Sequence, residues 1–234
     1  MNGLYHCTSC ETLEKILKCG AFYPSYCLEE SSYLHEDPHF AFAMICFADL
    51  QRSELKLHML NFSADVYIKM KKDWALHQGL SPVVYYSDKF TISSAILRAM
   101  ASSVGKLDQN DSLYKSFNLF MGLAKQYKGH YFDKKKKCFS ANEVCFYLER
   151  EWRYLPIVQN NEAYFLPETQ YYDDAIRNQK RDELIAHGYI LNFEWNDILE
   201  IGGKMNVVFR MVNYLISIFK VSRVEAASKV KVIY

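Results

Sequence analysis

Short apolar runs and short alternating stretches along the chain predict its strands. The clearest is residues 40–47, a continuous apolar run that is typical of a buried strand. Residues 65–70 alternate between polar and apolar positions, as a half-exposed strand does. The other predicted strands cover residues 4–7, 82–86, 144–149, 152–158, 189–195 and 230–234.

Apolar residues spaced three and four apart predict helices between these strands. The first helix has the best-marked ends, because residues 8–11 read Thr-Ser-Cys-Glu and fit a capping box, while Gly20 fits a C-terminal cap. Its predicted buried stripe is Leu13, Ile16 and Leu17. The other predicted helices cover residues 53–60, 73–78, 92–103, 113–124, 175–186 and 204–220.

The order of these elements predicts an α+β (mixed α/β) fold with a mixed central sheet. A chain of 234 residues buries roughly 70% of the surface that its unfolded form exposes, so it needs no metal or disulfide for stability. We therefore expect a single domain over residues 1–234, in which residues 90–128 form a helical insertion.

Composition narrows the class of protein. Lys and Arg number 28 and Asp and Glu 27, and a net charge of +1 gives no general reason to expect nucleic-acid or membrane binding. The most apolar stretch, residues 207–221, is interrupted by Arg210, Asn213 and Lys220 and falls short of the ~18 uninterrupted apolar residues that a membrane span needs. The start of the chain has no signal-peptide pattern, and the seven cysteines form no dense framework. We therefore expect a cytoplasmic protein with reduced thiols.

A histidine lies near the end of the first predicted strand, just before a predicted helix N-terminus. An imidazole at this place can hydrogen-bond a sugar hydroxyl, and the helix amides can receive an anion. His6 is therefore a candidate binding residue. The alternative is a histidine whose ring is satisfied within the strand edge.

Residues 149–153 read Glu-Arg-Glu-Trp-Arg within the strand-rich stretch 144–158. Because alternate residues of a strand share a face, Glu149, Glu151 and Arg153 are predicted on one side, and Arg150 and Trp152 on the other. Two carboxylates with an arginine on one face suit the binding of a ribose or of a cationic transition state. The alternative is a salt-bridged strand face that packs against the tryptophan.

The remaining candidates are weaker. Residues 45–49, Ile-Cys-Phe-Ala-Asp, end a buried strand in an aromatic and an acid, which can line a cleft or simply form core. Cys7 and Cys10 form a CxxC pair, but no second pair follows at zinc spacing. Residues 35–39 resemble loose metal ligands in a loop, and no metal site is predicted.

Several of these segments, taken in order, resemble the AbiGi family of bacterial abortive-infection proteins. The resemblance covers most of residues 4–200. Its motifs are YHxT at residues 5–8, CFAD at 46–49, KDWA at 72–75, PVVY at 82–85 and EREWRYLP at 149–156. It implies a phage-defence antitoxin whose partner is a nucleotidyltransferase-like toxin protein. The sequence adds no strong nucleic-acid or membrane signal, and it leaves the oligomeric state open.

The YHxT opening, the capped helix and a late strand glutamate are also similar to ADP-ribosyltransferases, including the DarT-like group. This resemblance implies an ADP-ribosyltransferase-like sheet and NAD as cofactor. Glu151, with Glu149 beside it, would then be the catalytic acid that stabilises an oxocarbenium-like centre. The residues that it assigns to NAD binding are His6, Tyr5, Thr8 and Phe47.

Two hypotheses about function follow. The first is a non-enzymatic antitoxin, to which no cofactor is assigned, that neutralises a partner toxin or represses its operon. Binding of a toxin protein is favoured, because the sequence has no clear helix-turn-helix signature or basic stripe. The second is an NAD-dependent ADP-ribosyltransferase, active or degenerate, that acts on a protein or nucleic-acid target.

Overall fold

The chain divides into two compact units, and each combines helices with strands. The computed structural model describes residues 3–30, 39–87, 89, 91–104, 106–108, 111–133, 136–157 and 164–233. Unit 1 comprises Met1–Tyr23, Cys46–Leu80 and Ile190–Tyr234, and unit 2 comprises Pro24–Ile45 and Ser81–Tyr189. The predicted α+β class is confirmed.

The predicted helices are all present, and the structure adds two short ones, α6 and α9. Two 3₁₀ turns cover Phe146–Glu149 and Trp195–Asp197. The helices are α1 (Cys10–Cys19), α2 (Arg52–Asn61), α3 (Lys72–His77), α4 (Thr91–Val104), α5 (Ser112–Leu123), α6 (Glu168–Tyr171), α7 (Asp174–Ala186), α8 (Met205–Phe219) and α9 (Arg223–Lys229). Within the described ranges, no helix has the length and apolar content that spanning a bilayer requires.

The strands are mostly short. They are β1 (Gly3–Thr8), β2 (Ala21–Phe22), β3 (Ser25–Glu30), β4 (His39–Ala48), β5 (Val66–Lys71), β6 (Ser81–Pro82), β7 (Val84–Tyr86), β8 (Ala124–Gln126), β9 (Lys128–Gly129), β10 (Phe132–Asp133), β11 (Cys138–Phe139), β12 (Val144–Cys145), β13 (Glu151–Tyr154), β14 (Phe165–Pro167), β15 (Leu191–Asn192), β16 (Ile198–Gly203) and β17 (Val230–Val232). The predicted strands at 82–86, 144–149, 152–158 and 189–195 are thus shorter or divided.

Unit 1 is built on a mixed sheet in the order β17–β16–β5–β1, and the end of β4 pairs with β1. β1 and β16 run antiparallel to β5, while β16 and β17 are parallel, so the predicted mixed sheet is confirmed. One apolar cluster of this unit consists of Tyr5, Ala48, Leu50, Leu55, Met59, Ala64 and Tyr67.

The first helix ends as predicted but begins differently. Gly20 is its C-terminal cap with φ of 62°, a left-handed conformation that favours glycine. At the other end, Ser9 is the N-cap and accepts a hydrogen bond from the Thr12 amide at 3.2 Å. Glu11 does not reach back, because it lies in the first turn and pairs with Lys15 at 2.7 Å.

Strand β16, which lies between β17 and β5 in unit 1, is absent from the sequence predictions. It ends in two glycines, which are disfavoured in strands and obscure the pattern. The structure shows why they are there. A Cβ atom at Gly202 would collide with the Tyr67 ring, and one at Gly203 would lie 2.7 Å from the Asp65 carbonyl oxygen.

Unit 2 contains several small strand pairs. β4 lies between β3 and β14, so that Phe42 faces Cys27 on one side and Phe165 on the other. β13 pairs with β6, and β7 runs parallel to β8 with Tyr85 opposite Lys125. An apolar cluster under β3 and β4 consists of Tyr26, Leu28, Ala41, Ala43, Leu166, Tyr171 and Leu184.

The two helices predicted within residues 90–128 are α4 and α5. The apolar spacing within residues 113–124 predicts that Leu113, Phe117, Phe120 and Ala124 form the buried face of α5, and this prediction is partly wrong. Leu113 is 52% exposed, because it lies in the first turn, directly after the N-cap Asp111 and Ser112. Ala124 is buried but belongs to β8. The residues that α5 does bury are Phe117, Met121 and Gly122. The single-domain organisation, with this segment as an insertion, stays a prediction.

Candidate functional site

The predicted catalytic glutamates lie in a cluster of buried charges in unit 2, but not on one strand. Glu151 and Arg153 are on β13 and are buried, as alternate residues of one strand face. Glu149 ends the preceding 3₁₀ turn. Between them, Arg150 has φ of 43°, a left-handed conformation that interrupts the extended backbone. The prediction of one strand face holding Glu149, Glu151 and Arg153 is therefore corrected.

Arg153 is the centre of the cluster. Its side chain is fully buried, and its Nε and Nη2 donate to the two carboxylate oxygens of Glu151 at 2.9 and 3.1 Å. Nη2 also donates to Glu29 Oε1 at 2.6 Å, and Nη1 to the Gly122 carbonyl at 2.7 Å. This fork geometry uses the planar guanidinium to hold two carboxylates and a backbone carbonyl at once.

Lys125 on β8 supplies the second cation. Its ammonium donates to Glu151 Oε2 at 2.7 Å and lies 3.6 Å from Glu149 Oε2. It also lies 4.4 Å from the centre of the Phe146 ring. The parallel pairing of β7 and β8 brings Tyr85 alongside, and its hydroxyl accepts a hydrogen bond from the Glu151 amide at 3.0 Å.

Neighbouring groups of opposite charge determine the direction in which the pKa values of Glu151 and Lys125 shift. Burial alone would raise the pKa of Glu151, but the charges and hydrogen bonds of Arg153 and Lys125 hold that pKa well below its usual range. Burial would lower the pKa of Lys125, yet the surrounding carboxylates raise it overall. Both groups are therefore charged at neutral pH.

Glu149 differs from Glu151 although only one residue separates them. Burial is the main cause that raises the pKa of Glu149 to about 7, and the attraction of Lys125 only partly offsets it. Among the described residues, no partner hydrogen-bonds its buried Oε1. Glu149 is thus the carboxyl group in this cluster that gains or loses a proton near neutral pH.

The cluster combines three carboxyl groups with two cations. It carries one excess negative charge when Glu149 is ionised and none when Glu149 holds a proton. An adjoining cavity lined by Glu29, Lys125 and Phe146 has a volume of about 20 Å³, which is room for a water molecule. The charge cluster can hold a proton on Glu149. The adjoining cavity is too small for a dinucleotide such as NAD.

His6 and Phe47 lie in unit 1, where they share an aromatic cluster. The ring centre of His6 is 5.4 Å from that of Phe47 and 5.2 Å from that of Phe22. Phe22 further contacts Trp74 and Phe193. His6 Nδ1 donates a hydrogen bond to the Cys46 carbonyl at 2.8 Å, and burial lowers the pKa of the imidazole. The ring is therefore neutral and hydrogen-bonded to the backbone.

The other two predicted NAD-binding residues are placed differently. Tyr5 points to the opposite face of β1, where it contacts Tyr67 at 5.4 Å between ring centres. Thr8 ends β1, and its carbonyl accepts a hydrogen bond from the Asp65 amide. The structure thus brings His6 and Phe47 together and separates Tyr5 from them.

Within the part of the chain that the structure describes, no group of three or more His, Cys, Asp or Glu side chains could hold a metal ion. Residues 35–37 of the loose ligand stretch lie outside the described residues. Burial raises the pKa of the Cys7 thiol to about 12, so it is not a reactive thiolate.

Sequence reasoning missed Glu29 and Lys125 in the charge cluster. They come from strands far from Glu151 in the chain, and no spacing rule connects them. One signal was available: two carboxylates and one arginine on a buried face leave a charge that needs another cation. The sequence does not identify that cation as Lys125, because Lys128 and Lys134–Lys137 lie nearer to Glu151 along the chain.

Taken together, the fold and the site define an α+β protein whose predicted catalytic carboxylates are part of a buried charge cluster. The model of a family described as "Putative abortive phage resistance protein AbiGi, antitoxin" matches residues 20–202. The chain belongs to the AbiGi family, a family of abortive phage resistance proteins. The YHCT motif at residues 5–8 lies outside the matched range.

A curated relative supports this membership. The "Abortive phage resistance protein AbiGi" of Lactococcus lactis subsp. cremoris is 24% identical over 206 residues, which cover 76% of this chain and 80% of the relative. No solved structure matches the chain significantly.

Proposed function

We propose that this chain is the antitoxin of a bacterial toxin–antitoxin pair and neutralises a cognate toxin protein by binding it in the cytoplasm. The observation that carries the proposal is the family match over residues 20–202, whose description names an antitoxin. The relative from Lactococcus lactis supports the phage-resistance context in which such a pair acts.

The contacts in the charge cluster favour binding over catalysis. A catalytic acid must offer an oxygen to its substrate, but both oxygens of Glu151 accept from Arg153, and Oε2 also accepts from Lys125. Removing Glu151 from these partners would leave buried cations unpaired, at a cost of several kcal/mol. The cluster therefore serves the stability of unit 2.

The NAD-dependent alternative makes two demands that these contacts do not favour. It needs His6 to turn to a ribose, whereas Nδ1 is bonded to the Cys46 carbonyl and the ring packs among aromatics. It also needs Glu151 free of its ion pairs. These contacts therefore favour the antitoxin over an ADP-ribosyltransferase.

The test is co-expression with the toxin candidate encoded beside this chain. We expect that candidate to arrest growth when it is expressed alone, and this chain to restore growth and co-purify with it as a defined complex. Failure to restore growth or to form the complex would contradict the proposal.

A matched variant separates neutralisation by binding from neutralisation by catalysis. Glu149→Gln removes the carboxyl that titrates near neutral pH but keeps its size. Because it preserves the fold, this variant should restore growth as well as the unmodified chain does. If the variant forms the complex with the toxin but does not restore growth, Glu149 takes part in a chemical reaction.

A further inference from the structure

A second cavity in unit 2 lies away from the buried charge cluster. It has a volume of about 150 Å³ and lies beside the start of β3, the strand β10 and the helices α6 and α7. A cavity of this size accommodates one six-membered ring. Its lining is divided into a basic wall and an aromatic wall.

The basic wall is one face of α7. Asp174, Arg177, Asn178 and Arg181 have the spacing i, i+3, i+4 and i+7, which places them on the same side of a helix. Arg177 is held in place, because it donates to the Tyr171 carbonyl and pairs with Asp174 at 2.5 Å. Arg181 pairs at 3.1 Å with its exposed neighbour Asp182, an ion pair that costs little to exchange for another anion.

The charge of the lining favours an anion. Lys137 adds a third cation to Arg177 and Arg181, and Asp174 is the carboxylate among the lining residues. The excess of cations makes the cavity attractive to a phosphate group, which arginine binds with a planar pair of donors.

The aromatic wall consists of Tyr26, Phe132, Tyr171 and Tyr172. The Phe132 ring centre lies 5.7 Å from that of Tyr171 and 6.1 Å from that of Tyr172, and both contacts are edge-on. Tyr172 is 43% exposed, so part of its ring is available to another planar group. Aromatic side chains next to cations are the usual means of holding a base and its phosphate.

We propose that this cavity binds a nucleotide, with the base against Tyr172 and Phe132 and the phosphate on Arg181 and Lys137. The ligand is either a free mononucleotide or one nucleotide of a single-stranded nucleic acid, since both offer a base and a phosphate. This activity is separate from toxin neutralisation and does not depend on it.

The first test is titration calorimetry of the full chain with uridine monophosphate and, separately, with inorganic phosphate. We expect the nucleotide to bind at least about tenfold more tightly than phosphate, because only the nucleotide uses the aromatic wall. Equal affinity for the two probes, or no heat from the nucleotide at millimolar concentration together with no binding of an oligonucleotide, would overturn the proposal.

Arg181→Ala tests the basic wall, with Lys180→Ala as its control. Lys180 is also on α7 and pairs with Glu183, but it does not line the cavity. We expect Arg181→Ala to weaken nucleotide binding about tenfold and Lys180→Ala to leave it unchanged. Equal effects of the two variants would show a general charge effect and contradict the proposed site.

Tyr172→Leu tests the aromatic wall, with Tyr147→Leu as its control. Tyr147 has a similar exposure of 49% but stacks on Tyr127 outside the cavity. We expect Tyr172→Leu to weaken nucleotide binding about tenfold and to leave phosphate binding unchanged. Unchanged nucleotide binding in this variant would contradict the role of the base.

The source of the nucleotide is decided by comparing the mononucleotide with a hexauridylate. Tighter binding of the oligonucleotide, with a steep dependence on salt that Arg181→Ala reduces, would assign the cavity to single-stranded nucleic acid. Equal binding of both per site would assign it to a free nucleotide. Either result supports a nucleotide site.

Discussion

The aromatic cluster around His6 and the charge cluster around Arg153 bury candidate functional groups by opposite means. In unit 1, an imidazole is kept neutral among aromatic rings and bonds to a backbone carbonyl. In unit 2, a fully buried guanidinium forms ion pairs with the carboxylates of Glu29 and Glu151. The comparison teaches that a polar side chain buried on a strand can be satisfied in two ways, by a backbone carbonyl or by opposite charges, and that neither requires a ligand.

The two regions also respond oppositely to pH. The pKa of His6 lies below its ordinary value of 6.5, so the unfolded chain binds the proton more readily and stability falls as pH falls below 6.5. The pKa of Glu149 is raised from 4.5 to about 7, so the folded chain binds the proton more readily and stability falls as pH rises through this interval.

The largest expected effect is that of Arg153→Met. This variant removes the buried guanidinium that Glu151 and Glu29 share and leaves Glu151 with Lys125, and we expect a loss of about 3–5 kcal/mol in the free energy of unfolding. Urea denaturation measures it. Lys180→Met, which breaks an ion pair at the surface of the same unit, should cost less than about 1 kcal/mol. Similar losses in the two variants would show that the buried charges of unit 2 do not stabilise it.

Glu149→Gln should have the opposite sign. Above pH 7 the wild-type chain carries an ionised, buried carboxylate at this position, and its neutral isostere should raise the free energy of unfolding by about 2–3 kcal/mol. Near pH 4.5 the two chains should be equally stable, because the glutamate is then protonated when folded. Denaturation at both pH values measures the difference. A variant that is less stable than wild type at pH 8 would refute the raised pKa.

His6→Asn should have a smaller effect that depends on pH. The asparagine amide keeps a donor for the Cys46 carbonyl but does not titrate. The variant should therefore lose less stability than wild type when the pH falls from 7.5 to 5.5. Thermal melts at the two pH values measure this, with Glu149→Gln as the reference for the opposite slope. If wild type and His6→Asn change in stability by the same amount between the two pH values, His6 does not contribute to the loss of stability in acid.

The smallest expected effect is that of NAD. Because His6 and Glu151 are both engaged within the protein, calorimetry with millimolar NAD should give no binding heat for the wild type or for His6→Ala. If the wild type binds NAD and His6→Ala does not, the transferase hypothesis is supported. The aromatic cluster around His6 would then be a binding site and not simply part of the core.

Local patterns predicted much of this molecule. The apolar run of β4 and the cap at Gly20 follow from neighbouring residues alone, and both are confirmed. The predictions failed where contacts between residues far apart in the sequence determine the structure. The two glycines that end β16 are required by the Tyr67 ring and by the backbone at Asp65, a reason that no window of the sequence contains.

The candidate site divides in the same way. Glu151 and Arg153 share a face as predicted, because alternation is a property of the strand itself. Glu149 was wrongly predicted on the same strand face as Glu151. Arg150 between them adopts a left-handed backbone conformation, which an arginine in the sequence does not predict. Glu29 lies 124 residues before Arg153, and only the tertiary fold brings the two together.

The uneven charge count of the Arg153 cluster also has a calorimetric consequence. Between pH 6.5 and 7, Glu149 takes up a proton as the chain folds, and the solvent must supply it. The heat of folding therefore includes the heat of deprotonating the buffer. In two buffers of equal pH but different ionisation enthalpy, the same folding reaction releases different amounts of heat, and replacing this one carboxyl group by an amide removes the part of that difference that Glu149 causes.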